Sequence, residues 1–199
     1  MITWHYIAYI GLIFFILLCG VWIFLRCQRQ KAVLQSVASE FGKIVSMKAG
    51  ISSFYVNFER DGTVYESSVI SSNYGTAYIL HFYLPQANEK FYIRQNSPIA
   101  SLRTEVDESR FSQSVSVSGF PDNYLVLSPN PEFSKKLLLN KSILTEIITI
   151  DSAFSYPQIS FDNGSFRIRL NSIGWDLQEK FRHLCRAAVS FRDGIRRLS

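Results

Sequence analysis

The pattern of apolar and polar positions changes character three times along this 199-residue chain. From Ile7 to Leu25, nineteen residues run without a charge or a proline, and thirteen of them are Leu, Ile, Phe or Val. At the helical rise this run spans about 28 Å, close to the roughly 30 Å hydrocarbon core of a bilayer. A helix apolar on every face predicts a membrane span, because a core helix of a soluble protein keeps a polar side. At about −0.3 to −0.6 kcal/mol per strongly apolar residue, insertion gains roughly 4 to 8 kcal/mol. Trp4, Tyr6 and Tyr9 near one end and Trp22 near the other suit the headgroup level. A cleaved signal peptide fits less well. No Lys or Arg precedes the run, it exceeds the usual apolar stretch of about 7–15 residues, and it closes on bulky Trp22-Ile23-Phe24-Leu25.

Between Val21 and Phe41 there is neither Gly nor Pro, and Val33, Leu34, Val37 and Phe41 recur at helical spacing. The spacing predicts one continuous helix to Phe41, with Gly42 as its stop. The expected organisation is a transmembrane anchor over 1–28, a juxtamembrane helical stalk over 29–42 and a domain over 43–199.

From Lys43 the period becomes two. Phe54, Val56 and Phe58 alternate with polar residues, Asp61-Gly62 supplies a turn, and Val64 to Ile70 returns as a hairpin. Thr76 to Leu84 reads as a central strand and Phe91 to Gln95 as another. Residues 96–110 are polar and aperiodic, hence a surface loop. Val115 and Val117 alternate with Ser, and Tyr124 to Leu127 is short and apolar, which predicts two further strands.

The third change follows Pro129. Asn130-Pro131 opens a helix through Leu137 and Leu138, broken near Asn140 and resumed through Ile143 to Ile148. Gln158 to Leu170 is a hairpin about Asn163-Gly164, the favoured type I′ pair. A last helix runs from Trp175 to Leu198, with Leu177, Phe181, Leu184, Ala188, Phe191 and Ile195 spaced alternately by four and three. The sum is an α+β fold: a mainly antiparallel sheet of six to eight strands with helices packed against it.

Charge then sets the expected orientation. Arg26, Arg29 and Lys31 directly follow the apolar run and no Lys or Arg precedes it. Positive residues stay on the side that is not translocated. The N-terminus is expected outside and the domain in the cytoplasm, in a bacterial inner membrane. The net charge of +5 falls to +2 once these three are set aside, too little for a nucleic-acid footprint. Three cysteines, one of them in the span, imply no disulfide framework.

Reactive chemistry is not visible. His81 and His183 stand far apart, with no partner at metal-ligand spacing, and no Gly-x-Ser-x-Gly elbow or phosphate loop occurs. No catalytic residue, metal ligand or cofactor is expected. Cys185 lies among Arg residues that would lower its pKa if the thiol were accessible. The apolar stripe of the last helix, flanked by Lys180, Arg182, Arg186, Arg192, Arg196 and Arg197, is a candidate interaction surface if it stays open. If the stripe instead covers the sheet, those charges are expected to be solvated.

Tyr124-Leu125-Val126-Leu127-Ser128, Pro129-Asn130-Pro131-Glu132 and the Leu137-Leu138-Leu139 run resemble part of a bacterial membrane-anchored α+β domain family with no assigned activity. There a strand ending in Ser precedes a Pro-like turn, a leucine-bearing helix, a second helix and a closing hairpin. The resemblance covers about fifty residues. It implies an α+β domain behind a membrane helix and carries no site residues.

Two functional readings follow. A membrane-tethered scaffold, assembly factor or accessory subunit would need the bilayer and a protein partner. A membrane-tethered enzyme or lipid-handling domain would need a deep pocket in which His81 or His183 meets a carboxylate, and a filled core would speak against it.

Overall fold

The computed structural model describes residues 2–73, 75–102, 106–111, 113–173 and 176–199, with side chains from residue 6 onward except that of Leu102. The side chains of Trp4 and His5, and all of Trp175, lie outside the described residues. The first element is a single helix, α1 (Ile2–Phe41). Every residue from Tyr6 to Arg26 on it is exposed, and the helix is long and apolar enough to cross a membrane.

Eight strands form one sheet: β1 (Lys43–Ala49), β2 (Ser53–Arg60), β3 (Thr63–Ser72), β4 (Gly75–Tyr83), β5 (Phe91–Gln95), β6 (Tyr124–Leu127), β7 (Ser155–Asp162) and β8 (Ser165–Ser172). Their order is β1-β2-β3-β4-β8-β7-β5-β6, and every neighbouring pair is antiparallel. Two tight turns set the registers. Asp61 and Gly62 have φ of 49° and 73°, Asn163 and Gly164 have 49° and 78°, the left-handed pairs that match strand twist. The fold is α+β.

Alternation divides each strand between two faces. Phe58, Tyr65, Phe82 and Phe166 form a row of rings across four adjacent strands of the inner face, with Phe58 stacked on Tyr65 at 4.8 Å and Phe82 on Phe166 at 4.4 Å. Helices α3 (Pro131–Leu138), α4 (Lys141–Ala153) and α5 (Leu177–Leu198) lie on this side. Phe191 of α5 fits between Phe91 at 5.9 Å and Phe166 at 5.3 Å. Asn130 caps α3 by accepting from the Phe133 N–H, and Asn140 caps α4 by accepting from Ser142. That second cap is why the leucine-rich stretch breaks there.

The last turns of α1 are not a free stalk. Leu34, Val37 and Ala38 have no exposed surface and join the same core. The stripe that marks 33–41 as helical is itself a packing face. Gly42 follows the end of α1, as expected. Its φ is not positive, but a Cβ there would sit 2.3 Å from the Glu59 carbonyl oxygen of β2.

Two local expectations are corrected. Residues 96–110 are more than a surface loop: they hold the short helix α2 (Pro98–Leu102), and a 3-10 turn follows at Glu108–Phe111. Ala100 and Phe111 are buried, and the segment leans on the outer face of the sheet, where Phe111 meets Tyr92 at 5.8 Å. Val115 and Val117 form no strand; this stretch makes an isolated bridge, Ser114 to Leu127. The chain there is held by Val115 N–H to Val126 O and Ser128 N–H to Gln113 O, too few bonds to extend a ladder.

Candidate functional site

The stripe on α5 faces inward. Phe181, Leu184, Ala188, Phe191 and Ile195 have no exposed surface, and Leu177 is partly buried against the same cluster. Of the flanking cations, expected to be solvated, Arg197 is exposed, while the other five reach partners within the domain. Arg192 donates to the Arg60 carbonyl at 3.0 Å and to Asp61 Oδ2 at 2.8 Å, and Arg196 donates to Thr63 Oγ1 at 2.9 Å. Together they tie α5 to the β2–β3 turn. Arg182 grips Glu40 of α1, Lys180 donates to Ser172 of β8, and Arg186 stands 3.9 Å from Glu146 of α4. This surface is used up inside the domain.

Two other candidates on α5 lose their chemistry through burial. Cys185 has no exposed surface, and burial pushes its thiol well above the ordinary value, overriding the Arg-rich neighbourhood read from the sequence. His183 is held below the usual histidine range, first by burial and then by the nearby Arg186 cation. Its Nδ1 is buried with no hydrogen-bond partner among the described residues. Among the described residues no three His, Cys, Asp or Glu side chains converge as metal ligands would.

The outer face of the sheet is where polar groups gather. The 96–111 segment covers its β5 end, pinned by Arg94 Nε donating to Glu108 Oε1 at 2.6 Å. The face of β1 to β4 and β8 stays bare. One open groove of about 440 Å³ is lined by Lys48, Tyr55, Asn57, Glu66, Ser68 and His81. A second, of about 770 Å³, adjoins it across Ile79 and includes Tyr156, Arg167, Arg169 and Asn171.

His81 sits at the centre of this face. Its Nε2 is 2.8 Å from Ser165 Oγ, and its Nδ1 is 4.0 Å from Glu66 Oε2. The order acid–histidine–serine is that of a nucleophilic triad. The geometry stops short of one. The carboxylate is beyond hydrogen-bond range of Nδ1, so it neither fixes the tautomer nor orients the ring, and both side chains are open to water. The arrangement can recognise a polar partner; it is not assembled to activate Ser165. His81 meets a carboxylate in an open groove over a filled core, not in a deep pocket.

Arg26, Arg29 and Lys31 lie on α1 where the exposed run gives way to the packed turns. Arg26 stands over the Trp22 ring at 5.4 Å, a cation–π contact. Sequence reading missed the outer face as a unit. Its members alternate with core residues, and of them only His81 stood out singly in the sequence. The β4–β8 pairing that sets His81 beside Ser165 joins residues 84 positions apart, and no local signal carries it.

No protein-family model matches the sequence, and no curated protein matches it. Among solved structures the chain is similar to the crystal structure of the mycobacterial trehalose monomycolate transport factor A, TtfA. The TM-score is 0.50 at 10% sequence identity, over 84% of this chain and 94% of that one. At that identity the likeness is one of fold.

Proposed function

We propose that this chain is a single-pass membrane protein whose cytoplasmic α+β domain acts without catalysis, as a scaffold, assembly factor or accessory subunit. In this reading α1 crosses the bilayer with its N-terminus outside, and Arg26, Arg29 and Lys31 hold the domain on the cytoplasmic side. The outer sheet face receives a protein partner. The observation that carries it is the bare polar face on a domain that shares one helix with the apolar span: Leu34 and Val37 are core residues of the same helix as Leu25. A partner bound there is held at a fixed height and angle to the membrane. TtfA, by its name a transport factor, has a similar fold and supports an accessory role by analogy only.

The test is photocrosslinking in the native membrane from the full chain. A crosslinker at Asn57 or Ser68 is expected to give one discrete protein adduct, while one at exposed Leu139 between α3 and α4 gives none. An absence of adducts from the outer face, with the protein folded and inserted, would overturn the partner reading. Orientation is read separately, by membrane-impermeant labelling of a cysteine at Leu139. Labelling in intact spheroplasts would place the domain on the opposite side.

A second reading, lipid handling, has one observation in its favour. A cleft of about 700 Å³ beside Arg26 and Gln30 shares Ser72, Gly75, Thr76 and Ile173 with the groove on the outer face. Together they make a path from the membrane-proximal edge to Arg167 and Arg169. Native mass spectrometry of the purified full chain decides it: a stoichiometric lipid lost on Ile173→Asp supports this reading, and a lipid-free protein rejects it.

A further inference from the structure

The membrane-proximal end of the domain carries two isoleucines that the fold leaves in the open. Ile51, in the β1–β2 turn, is 81% exposed, and Ile173, directly after β8, is 85% exposed. The Ile51 side chain is not needed by its turn. The β1–β2 turn is closed by Gly50 N–H to Ser53 O at 2.7 Å and joined to β3 by Ser71 N–H to Ser52 O at 2.8 Å, all backbone bonds.

Their height relative to α1 is fixed. The Cys27 thiol donates toward the carbonyls of Gly50 and Ile51, at 3.8 and 4.0 Å. Ile173 lines the same cleft as Arg26 and Gln30. Cys27 is two residues beyond Leu25, the last apolar residue of the exposed run, which is about 3 Å along the axis. Ile51 therefore stands level with the end of the apolar run, and Ile173 lines the cleft beside it. The opposite end of the sheet is different: its β2–β3 turn, Asp61-Gly62, is bound by Arg192 and Arg196 from α5.

We infer that Ile51 and Ile173 form a lipid-docking rim: the two side chains enter the headgroup–acyl boundary beside α1 and set the tilt of the domain on the bilayer. The occupant is the bilayer and not a second protein, because Ile51 adjoins Cys27, two residues beyond the apolar run of α1. The cations at its level, Arg26 and Arg29, fit phosphate headgroups. This rests on the reading of α1 as a membrane span, and the experiment below separates the two.

The full chain is reconstituted in vesicles of phosphatidylcholine and phosphatidylglycerol, in a Cys19→Ala, Cys27→Ser background that leaves only buried Cys185. An environment-sensitive fluorophore is placed singly at Ile51→Cys, Ile173→Cys, Leu25→Cys or Leu139→Cys, and quenching by doxyl-labelled lipid is read. Matching thermal transitions show that each variant is folded. The rim predicts quenching at 51 and 173 equal to that at 25, with none at 139. Quenching at 25 but at neither 51 nor 173 overturns the rim and leaves the anchor intact. A blue shift at 51 or 173 without lipid quenching also overturns it, in favour of a protein contact. An unquenched probe at 25 overturns the anchor, and the rim with it.

Discussion

Arg182 of α5 holds Glu40 in the last turns of α1 through two hydrogen bonds, Nε to Oε2 at 2.9 Å and Nη2 to Oε1 at 2.8 Å. This fork joins elements 142 residues apart and links the helix that carries the apolar run to the domain's C-terminal helix. The hydrogen bond from Arg182 holds the Glu40 carboxyl below its ordinary value; burial opposes it, and the positive charges of Arg182 and Arg186 add to the lowering. A carboxylate shifted down stabilises the fold above its unfolded pKa, and that contribution is lost as pH falls through the folded value. Glu40→Gln is therefore expected to lower the urea midpoint at neutral pH and to leave it nearly unchanged in acid. Equal loss at both would mean that the side chain matters for packing and not for charge.

Leu34→Ala tests whether the end of α1 belongs to the domain. Leu34 has no exposed surface, so truncation is expected to cost about 2–5 kcal/mol, the range for a large-to-small change in a core. The same change at Leu17, which is exposed on the apolar run, should leave the unfolding of the domain unmoved in detergent. Chemical denaturation followed by tyrosine fluorescence distinguishes the two. A free stalk would make Leu34 and Leu17 alike.

What the sequence made legible was whatever a local rule encodes. The apolar run, the period-two strands from Phe54 to Phe58, the Asn130 cap and the two Asx-Gly turns each depend on neighbours within a few residues. The 96–110 stretch differs from the loop expected of it because Glu108 and Phe111 are anchored by Arg94 and Tyr92 across the fold, with no periodicity of their own. Val115 and Val117 have strand-like alternation but pair through a single bridge, which alternation cannot foresee. The cations of α5 looked like a solvated flank for the same reason: Asp61, Glu40 and Glu146 become their partners only after folding. The outer face needed the strand order, which no segment contains.

Gly42→Ala should destabilise the domain by about 1–3 kcal/mol, the cost of forcing atoms into a packed site. The added Cβ would lie 2.3 Å from the Glu59 carbonyl oxygen, a backbone atom that cannot swing aside, and β2 or α1 would have to shift. Gly20→Ala is the control, since a Cβ there meets nothing within 4 Å. Comparing thermal transitions of the two variants checks the claim. A neutral Gly42→Ala would show that the approach of α1 to β2 relaxes without cost.

Glu146 of α4 supplies the opposite pH sign. Its side chain is 8% exposed, and Oε2 has no hydrogen-bond partner among the described residues. Burial raises its pKa, and the Arg186 charge at 3.9 Å only partly offsets this. A carboxyl shifted up binds its proton more tightly when folded, so its contribution is most favourable below the unfolded pKa. Stability is then lost as pH rises from the unfolded to the folded value, and the cost stays constant above it. Glu146→Gln, which keeps the shape and removes the charge, is expected to raise the neutral-pH midpoint and to flatten that slope. Arg186→Ala should lower the midpoint in the parent chain and have little effect in the Glu146→Gln background, because its cation acts through the carboxylate. Equal effects of Arg186→Ala in both backgrounds would show that the pair is uncoupled and that burial alone governs Glu146.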